Sequence, residues 1–229
     1  MASKIKNNET YWAFFDVDET VINLKSMFTF LKYFYETVYG SFFSKLLYIW
    51  AVSYLKVLIK LNVTREFVNK NYYQLYRNIE PELLNKIGQN WFDNLISTKK
   101  NLFNERVLDA MKEHQRKGGS IVFVSGSFEA CIKPIAEYLK VKHYICTTLQ
   151  ISKGRYSGKI LGSPVIGEGK AVLVRDFLNK RNFSSLDLCY AYGDHISDLP
   201  MLKIVGNSVV VRGDKSLEAY GTKHGWKLI

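Results

Sequence analysis

The chain reads as an α/β protein built on a parallel sheet, with an all-helical block inserted near its start. Three observations predict this. Short apolar runs alternate with helical patterns through the second half of the chain, as in a sheet with helices on both faces. From about Leu24 to Leu102 the periodicity is helical throughout, with no convincing strand. Carboxylates, serines and a lysine gather where the predicted strands end, which is where open α/β sheets hold ligands. At 229 residues, 47% apolar and 14% aromatic, the chain buries a substantial core, which excludes disorder.

The elements follow in order. Tyr11–Val17 (YWAFFDV) is an apolar and aromatic run that predicts a buried strand ending in carboxylates. Gly119–Val124, Leu186–Tyr192 and Ser208–Val211 predict three more strands. Between them lie helical patterns at Asn104–Lys117, closed by Gly118 and Gly119, then Phe128–Leu139 and Lys170–Lys180. Tyr144–Ser152 and Arg155–Ile160 flank Lys153-Gly154 and predict an appended hairpin. In the inserted block, helices are predicted at Ser26–Tyr39, Ser41–Leu61, Thr64–Asn78 and Pro81–Ser97, with Gly40 and Pro81 as punctuation. Residues 1–23 and 103–229 thus form the core, and 24–102 a lid or cap domain.

The bulk numbers narrow the partners. A formal charge of +11 suits an anionic substrate, an anionic membrane surface or nucleic acid, but the lysines are scattered and no nucleic-acid partner is expected. Cys131, Cys146 and Cys189 are too far apart for a zinc site and odd in number for a disulfide framework. With a polar opening stretch that lacks a signal-peptide pattern, they point to the reducing cytoplasm. Leu46–Leu55 is only ten residues without a charge, too short to span a bilayer. Lys45, Lys56 and Lys60 fall within roughly 60° of one another on a helix, a narrow basic stripe beside a wide apolar face. Packing of that face on neighbouring cap helices is the expectation, with docking on a membrane surface the alternative.

The strand ends carry chemistry. After the first strand come Asp16, Asp18 and Thr20 (DVDET); after the second, Ser125, Gly126 and Ser127; then Lys170 behind Gly167-Glu168-Gly169; and after the third, Gly193, Asp194 and Asp198 (GDHISD). Asp16 and Asp18 are two apart, so an extended strand points both the same way. One can act as nucleophile while the other serves as acid and then base. Asp194 and Asp198 complete an all-oxygen cluster of the kind that hard Mg²⁺ satisfies. Ser125 and free N–H groups at a helix start hold phosphate oxygens, and Lys170 supplies a cation for phosphoryl transfer.

As a set, DVDET, VSGSF, the lysine of GEGK and GDHISDLPML resemble the four motifs of the haloacid dehalogenase superfamily, in its phosphoserine-phosphatase-like branch. The resemblance runs the length of the chain, to Gly225-Trp226. It implies a Rossmann-like parallel sheet core with an inserted all-helical (C1-type) cap. It implies that Asp16 attacks the phosphoryl group and forms an aspartyl-phosphate, while Asp18 protonates the leaving alcohol and then activates water. Mg²⁺ is expected on Asp16, the backbone carbonyl of Asp18 and Asp194, with Asp198 direct or through water; Ser125, Gly126 and Lys170 are expected to hold the phosphate. Dehalogenases lack the second aspartate, here Asp18, and transport ATPases carry threonine there.

The chain also departs from the branch. Lys25 stands nine positions after the nucleophile, where related phosphoserine phosphatases carry a glutamate that binds the substrate ammonium. Ser127 replaces a glycine, and His195 stands where a small residue is common. The expected function is a Mg²⁺-dependent phosphatase for a small phosphorylated metabolite, with Lys25 a candidate reader of a second anionic group. The basic apolar helix leaves a membrane-associated lipid-phosphate phosphatase or phosphotransferase as the alternative, and a non-catalytic phosphate-binding module as a third reading.

Overall fold

A computed structural model describes residues 11–61 and 63–229. Seven strands, β1 (Tyr11–Phe15), β2 (Gly119–Phe128), β3 (His143–Ser152), β4 (Arg155–Leu161), β5 (Tyr190–Gly193), β6 (Asn207–Val210) and β7 (Lys227–Leu228), form one sheet in the order β4-β3-β2-β1-β5-β6-β7. Every neighbouring pair is parallel except the β3–β4 hairpin.

Alternation along β1 divides the core. Trp12 and Phe14 point to one face with Val122, Val124 and Ala191, where α6 (Glu168–Asn179), α7 (Leu199–Lys203) and α8 (Lys215–Lys223) add Val174, Met201 and Leu217. Ala13 and Phe15 point to the other face with Ile121, Phe123 and Tyr192, against α4 (Glu105–Arg116) and α5 (Glu129–Tyr138). A strand buried on both faces is apolar at every position, which is why β1 and β2 read as continuous apolar runs.

Between β1 and α4 lies the helical insertion: α1 (Ser26–Lys60), α2 (Arg65–Gln74) and α3 (Pro81–Thr98). Phe30, Phe34, Tyr72, Tyr73, Tyr76 and Trp91 are fully buried and merge with the core face that holds Phe15 and Phe128. The insertion is therefore packed on the sheet through aromatic contacts such as Phe30 and Tyr76 against Phe128.

Several expectations need correction. Leu186–Leu188 is a 3₁₀ turn, and the strand begins only at Tyr190. The carbonyls of Leu186 and Asp187 are taken by the N–H of Gly206 and the side chain of Asn207, so no strand neighbour can use them. The chain leaves β1 at Phe15, and the Val17 carbonyl accepts N–H bonds from Thr20, Val21 and Ile22, closing a turn. The second strand runs on to Phe128 through a register shift between Ser125 and Phe128, so α5 starts at Glu129.

The largest correction concerns α1. As expected, non-helical Gly40 (φ 72°, ψ 171°) divides it into an inner limb, 26–39, and an outer limb, 41–60; what was not expected is the character of the outer limb. Phe42–Lys60 is a 19-residue stretch long and apolar enough, by length and composition, to cross a bilayer, which the charge-free count of Leu46–Leu55 missed. Its apolar residues pack only in part: among the described residues of the limb Ser44, Ala51 and Leu55 are buried and Leu47, Tyr48 and Leu58 pack against the core, while Phe42, Phe43, Leu46, Ile49, Trp50 and Val57 are exposed.

On the insertion side of the sheet, buried His114 of α4 lies between two tyrosines, with Tyr11 Oη 3.0 Å from Nδ1 and Tyr192 Oη 2.8 Å from Nε2. Burial, helped by the Lys117 charge, pushes the imidazole down to about 4 from an ordinary 6.5. Between those values the unfolded chain binds a proton that the folded chain refuses, so this group's contribution to stability falls as pH falls. Denaturant unfolding of wild type and His114→Gln should show a smaller loss of stability on acidification through that window in the variant. The comparison isolates the histidine, because the buried carboxylates act in the opposite sense and are common to both proteins.

Candidate active site

The sheet's carboxyl edge gathers the predicted residues from four separate segments. Asp16 follows β1, its N–H still bonded to the Tyr192 carbonyl of β5 at 3.0 Å. Lys170 lies in the first turn of α6 and is buried. Its Nζ donates to Asp16 Oδ1 at 2.6 Å and to Asp198 Oδ1 at 2.7 Å. Asp198 belongs to a short 3₁₀ turn after β5, and its Oδ2 accepts the His195 N–H at 3.2 Å. A side chain at Gly193 would place its Cβ 2.6 Å from Asp198 Cβ, so glycine there lets the carboxylate lie against the end of β5.

Asp194 completes the group. Its Oδ1 accepts the Thr20 hydroxyl at 2.7 Å, which ties the loop after β5 to the turn after β1. Oxygen atoms of Asp16, Asp194 and Asp198 all come within 4.8 Å of one another. Three carboxylates face one ammonium, a surplus of negative charge in a buried place. Burial raises the Asp16 carboxyl well above the usual carboxylate range, with Asp198 and Asp194 adding to it and Lys170 opposing. Asp194 is pushed up to about 6 by burial and by Asp198, against the Thr20 hydrogen bond. For Lys170 burial works against the charge, yet the two carboxylates outweigh it and hold the ammonium above its ordinary value. Carboxylates that resist ionisation for want of positive charge form a donor set that fits a hard divalent cation.

Asp18 stands apart from the cluster. Its Oδ2 accepts the Ser26 N–H at 3.0 Å, at the start of α1, and its Oδ1 is buried with no partner. Burial pushes its carboxyl up to about 6, with the Ser26 hydrogen bonds offsetting part of the shift. The group can therefore carry a proton near neutral pH, which a solvent-exposed aspartate cannot.

Ser125 is buried and its Oγ accepts the Ser127 N–H at 3.0 Å. Gly126 sits in the irregular stretch between Ser125 and Phe128, where pairing with β3 slips. Its carbonyl receives three donors: Tyr73 Oη at 2.7 Å, Thr147 Oγ1 at 2.9 Å and Asn69 Nδ2 at 3.4 Å. The serine run stays extended to Phe128 and leads directly into α5, as expected, and α2 of the insertion is tied to its backbone.

The contacts of Asn69, Tyr73 and Thr147 were not anticipated, because nothing in local sequence links a tyrosine on one helix to a carbonyl more than fifty positions away. Arg65 was missed for the same reason. Its Nη1 lies 2.9 Å from His195 Nδ1, which also accepts the Ser197 N–H at 3.0 Å. With Nδ1 accepting, the ring proton belongs on Nε2, 3.5 Å from Asp214 Oδ2. His195 is thus a partly buried link between insertion and sheet rather than a free loop side chain, and burial and the Arg65 charge lower its pKa. Lys25, the residue before α1, forms an ion pair with Glu19 at 3.1 Å, both side chains about half exposed.

Known proteins resemble this chain in sequence and fold. The family model for haloacid dehalogenase-like hydrolases matches residues 13–203. A probable phosphatase of Mycobacterium tuberculosis is 36% identical over 121 residues, 53% of this chain and 42% of that protein. A phosphoserine phosphatase of the same organism is 26% identical over 223 residues, 94% of this chain and 69% of its own length. The chain spans about half the length of the first relatives it matches. Among solved structures, a protein of unknown function from Bordetella pertussis superposes with a TM-score of 0.83 at 22% identity, covering 96% of this chain and 98% of that one. With the family match covering most of β1, β2 to β5, the insertion and all four site segments, the chain belongs to the haloacid dehalogenase-like hydrolases.

Proposed function

We propose that the chain is a Mg²⁺-dependent phosphatase that acts on a small phosphorylated metabolite through an aspartyl-phosphate, with residues 24–102 as its cap. The observation that carries this reading is the meeting of Asp16, Asp194 and Asp198 around the Lys170 ammonium at the ends of β1 and β5. The phosphatase and phosphoserine phosphatase relatives support the reaction class. The free thiols Cys131, Cys146 and Cys189 support a reducing cytoplasmic setting.

In the first step an oxygen of Asp16 bonds to phosphorus as the bond to the leaving oxygen breaks, and Asp18 delivers its proton to that oxygen. In the second, a water oxygen bonds to phosphorus, the bond to Asp16 breaks, and Asp18 takes the water's proton. A carboxyl held at about 6 suits both halves of this exchange at neutral pH. Lys170, Ser125 and the Gly126 backbone hold the phosphoryl oxygens. Asp16, Asp194, Asp198 and the Asp18 carbonyl would hold Mg²⁺, which when bound neutralises charge on the transferring phosphoryl group.

Asp16→Asn should abolish turnover while the protein stays folded. Asp18→Asn should slow it ~10²–10⁴-fold, the usual worth of a general acid–base, with a smaller loss for aryl phosphates, whose leaving groups need no proton. Equal losses on alkyl and aryl phosphates in single-turnover assays would contradict the role given to Asp18.

Metal dependence is open to a readout besides activity. Chelator should remove hydrolysis and Mg²⁺ restore it, and Mg²⁺ should raise the thermal unfolding midpoint of wild type but not of Asp194→Asn. Ca²⁺ should not support turnover, since its looser coordination misplaces nucleophile and phosphate. Full activity in excess chelator, or a midpoint indifferent to Mg²⁺, would exclude the site.

Lys25 sits at the base of the cap, where its charge favours a substrate with a second anionic group over one with an ammonium. Glu19 already partners it, so the preference should be modest, ~10-fold in kcat/KM, the lower end for a charge-assisted contact. Lys25→Glu should reverse the ranking of O-phosphoserine against phosphorylated carboxylic acids. An unchanged ranking would remove Lys25 from substrate recognition.

A further inference from the structure

The outer limb of α1, residues 41–60, presents an exposed face that the proposed reaction does not use. At about 100° per residue, Leu46, Val57, Trp50, Phe43 and Tyr54 fall within an arc of about 80°. All five are exposed, Trp50 by 63% of its surface and Phe43 by 64%. Val38, Tyr39 and Phe42 extend the apolar surface around the Gly40 elbow. Lys45, Lys56 and Lys60 line one flank of the arc, and none has a carboxylate partner among the described residues. From residue 37 to residue 65 the sequence has four cations, these three and Arg65, and no carboxylate.

We propose that this face docks on the surface of an anionic lipid bilayer. Aromatic and aliphatic side chains enter the interface while the lysine flank meets the headgroups, their alkyl stems lying along the apolar strip. The charge pattern selects this occupant over a second copy of the chain. A two-fold contact through the same face would set one lysine flank near another, with no carboxylate on either side to offset them.

The packing also selects docking over crossing. Ala51 and Leu55 are fully or almost fully buried in the hydrophobic cluster that contains Phe30 and Tyr72. To span a membrane the limb would have to pull both out of that cluster and carry Lys45 and Lys56 into hydrocarbon. Both ends of α1 are moreover held at the same place. Ser26 bonds Asp18, Met27 meets Asn69 and Tyr72, and Arg65, just beyond the outer limb, reaches His195. Docking therefore sets the bilayer surface beside the loops that carry the site. This inference does not rest on the proposed reaction and survives its failure.

Co-sedimentation of the full chain with vesicles tests it. Vesicles with about one-third phosphatidylglycerol in phosphatidylcholine should pellet the protein at low salt, phosphatidylcholine alone should pellet ~10-fold less, and high salt should release it. Tryptophan emission should shift to the blue on binding in wild type but not in Trp50→Phe, since Trp12 and Trp91 are buried and Trp226 is partly buried. Leu46→Glu/Trp50→Glu should abolish sedimentation, and Lys45→Ala/Lys56→Ala/Lys60→Ala should weaken it and flatten its salt dependence. Both variants should keep the wild-type unfolding midpoint, because the altered side chains face outward. The inference is overturned if wild type ignores anionic vesicles, or if Leu46→Glu/Trp50→Glu still binds them. It is equally overturned if the face proves to be buried in a dimer that Leu46→Glu/Trp50→Glu dissociates, or if only detergent removes the protein from membranes.

Discussion

The Lys170 ammonium, shared between Asp16 and Asp198, is the interaction on which the site depends. Three carboxylates do not assemble unaided in a buried place, because each makes the next harder to ionise. Lys170 offsets part of that repulsion from a position where burial alone would favour losing its proton. It also joins three segments far apart in the chain, the end of β1, the first turn of α6 and the turn after β5. A buried ion pair contributes little net stability, but it defines which groups must meet, and removing one partner strands the other. The remaining contacts serve that meeting: Gly193 gives Asp198 room, and Thr20 fastens Asp194 to the turn after β1.

The sheet and the four site segments were legible because they are written in local terms. An apolar run such as YWAFF has few fates, and an aspartate directly after it must face the carboxyl edge. Lys170 could be picked out because a lysine in the first turn of a helix opposes the helix dipole and requires a reason. What failed to show were relations between distant segments. The three donors on the Gly126 carbonyl come from two places remote in sequence, and the Arg65–His195 link joins insertion to core. Leu186–Leu188 looked like the start of a strand, but its carbonyls were claimed by Gly206 and Asn207. Periodicity marked the apolar face of the outer limb correctly; it carried no information on whether a neighbour would cover it.

Those same unseen contacts bind the insertion to the sheet edge. Asp16, Ser125, Lys170 and Asp198 are all buried. In the proposed reading, where residues 24–102 act as a cap, a substrate enters as the insertion separates from the sheet edge, which breaks the bonds of Asn69 and Tyr73 to Gly126 and of Arg65 to His195. The cost is modest for each neutral bond, of order 1 kcal/mol. In the proposed reaction, closure would remove water from the place where phosphorus is attacked and strengthen every charge interaction there.

Gly40 carries the last consequence. Its φ of 72° and ψ of 171° lie in a region that only glycine enters easily, and a Cβ there would meet nothing within 4 Å. The demand at this position is thus for a shape of backbone, not for space. Any other residue favours carrying the right-handed turn straight through, and the 35 residues of α1 would then form one rod about 50 Å long. Such a rod would leave the molecule like a mast, with Trp50 and the lysines far from the sheet and no route for Arg65 back to His195. One missing methyl group folds that mast against the hull.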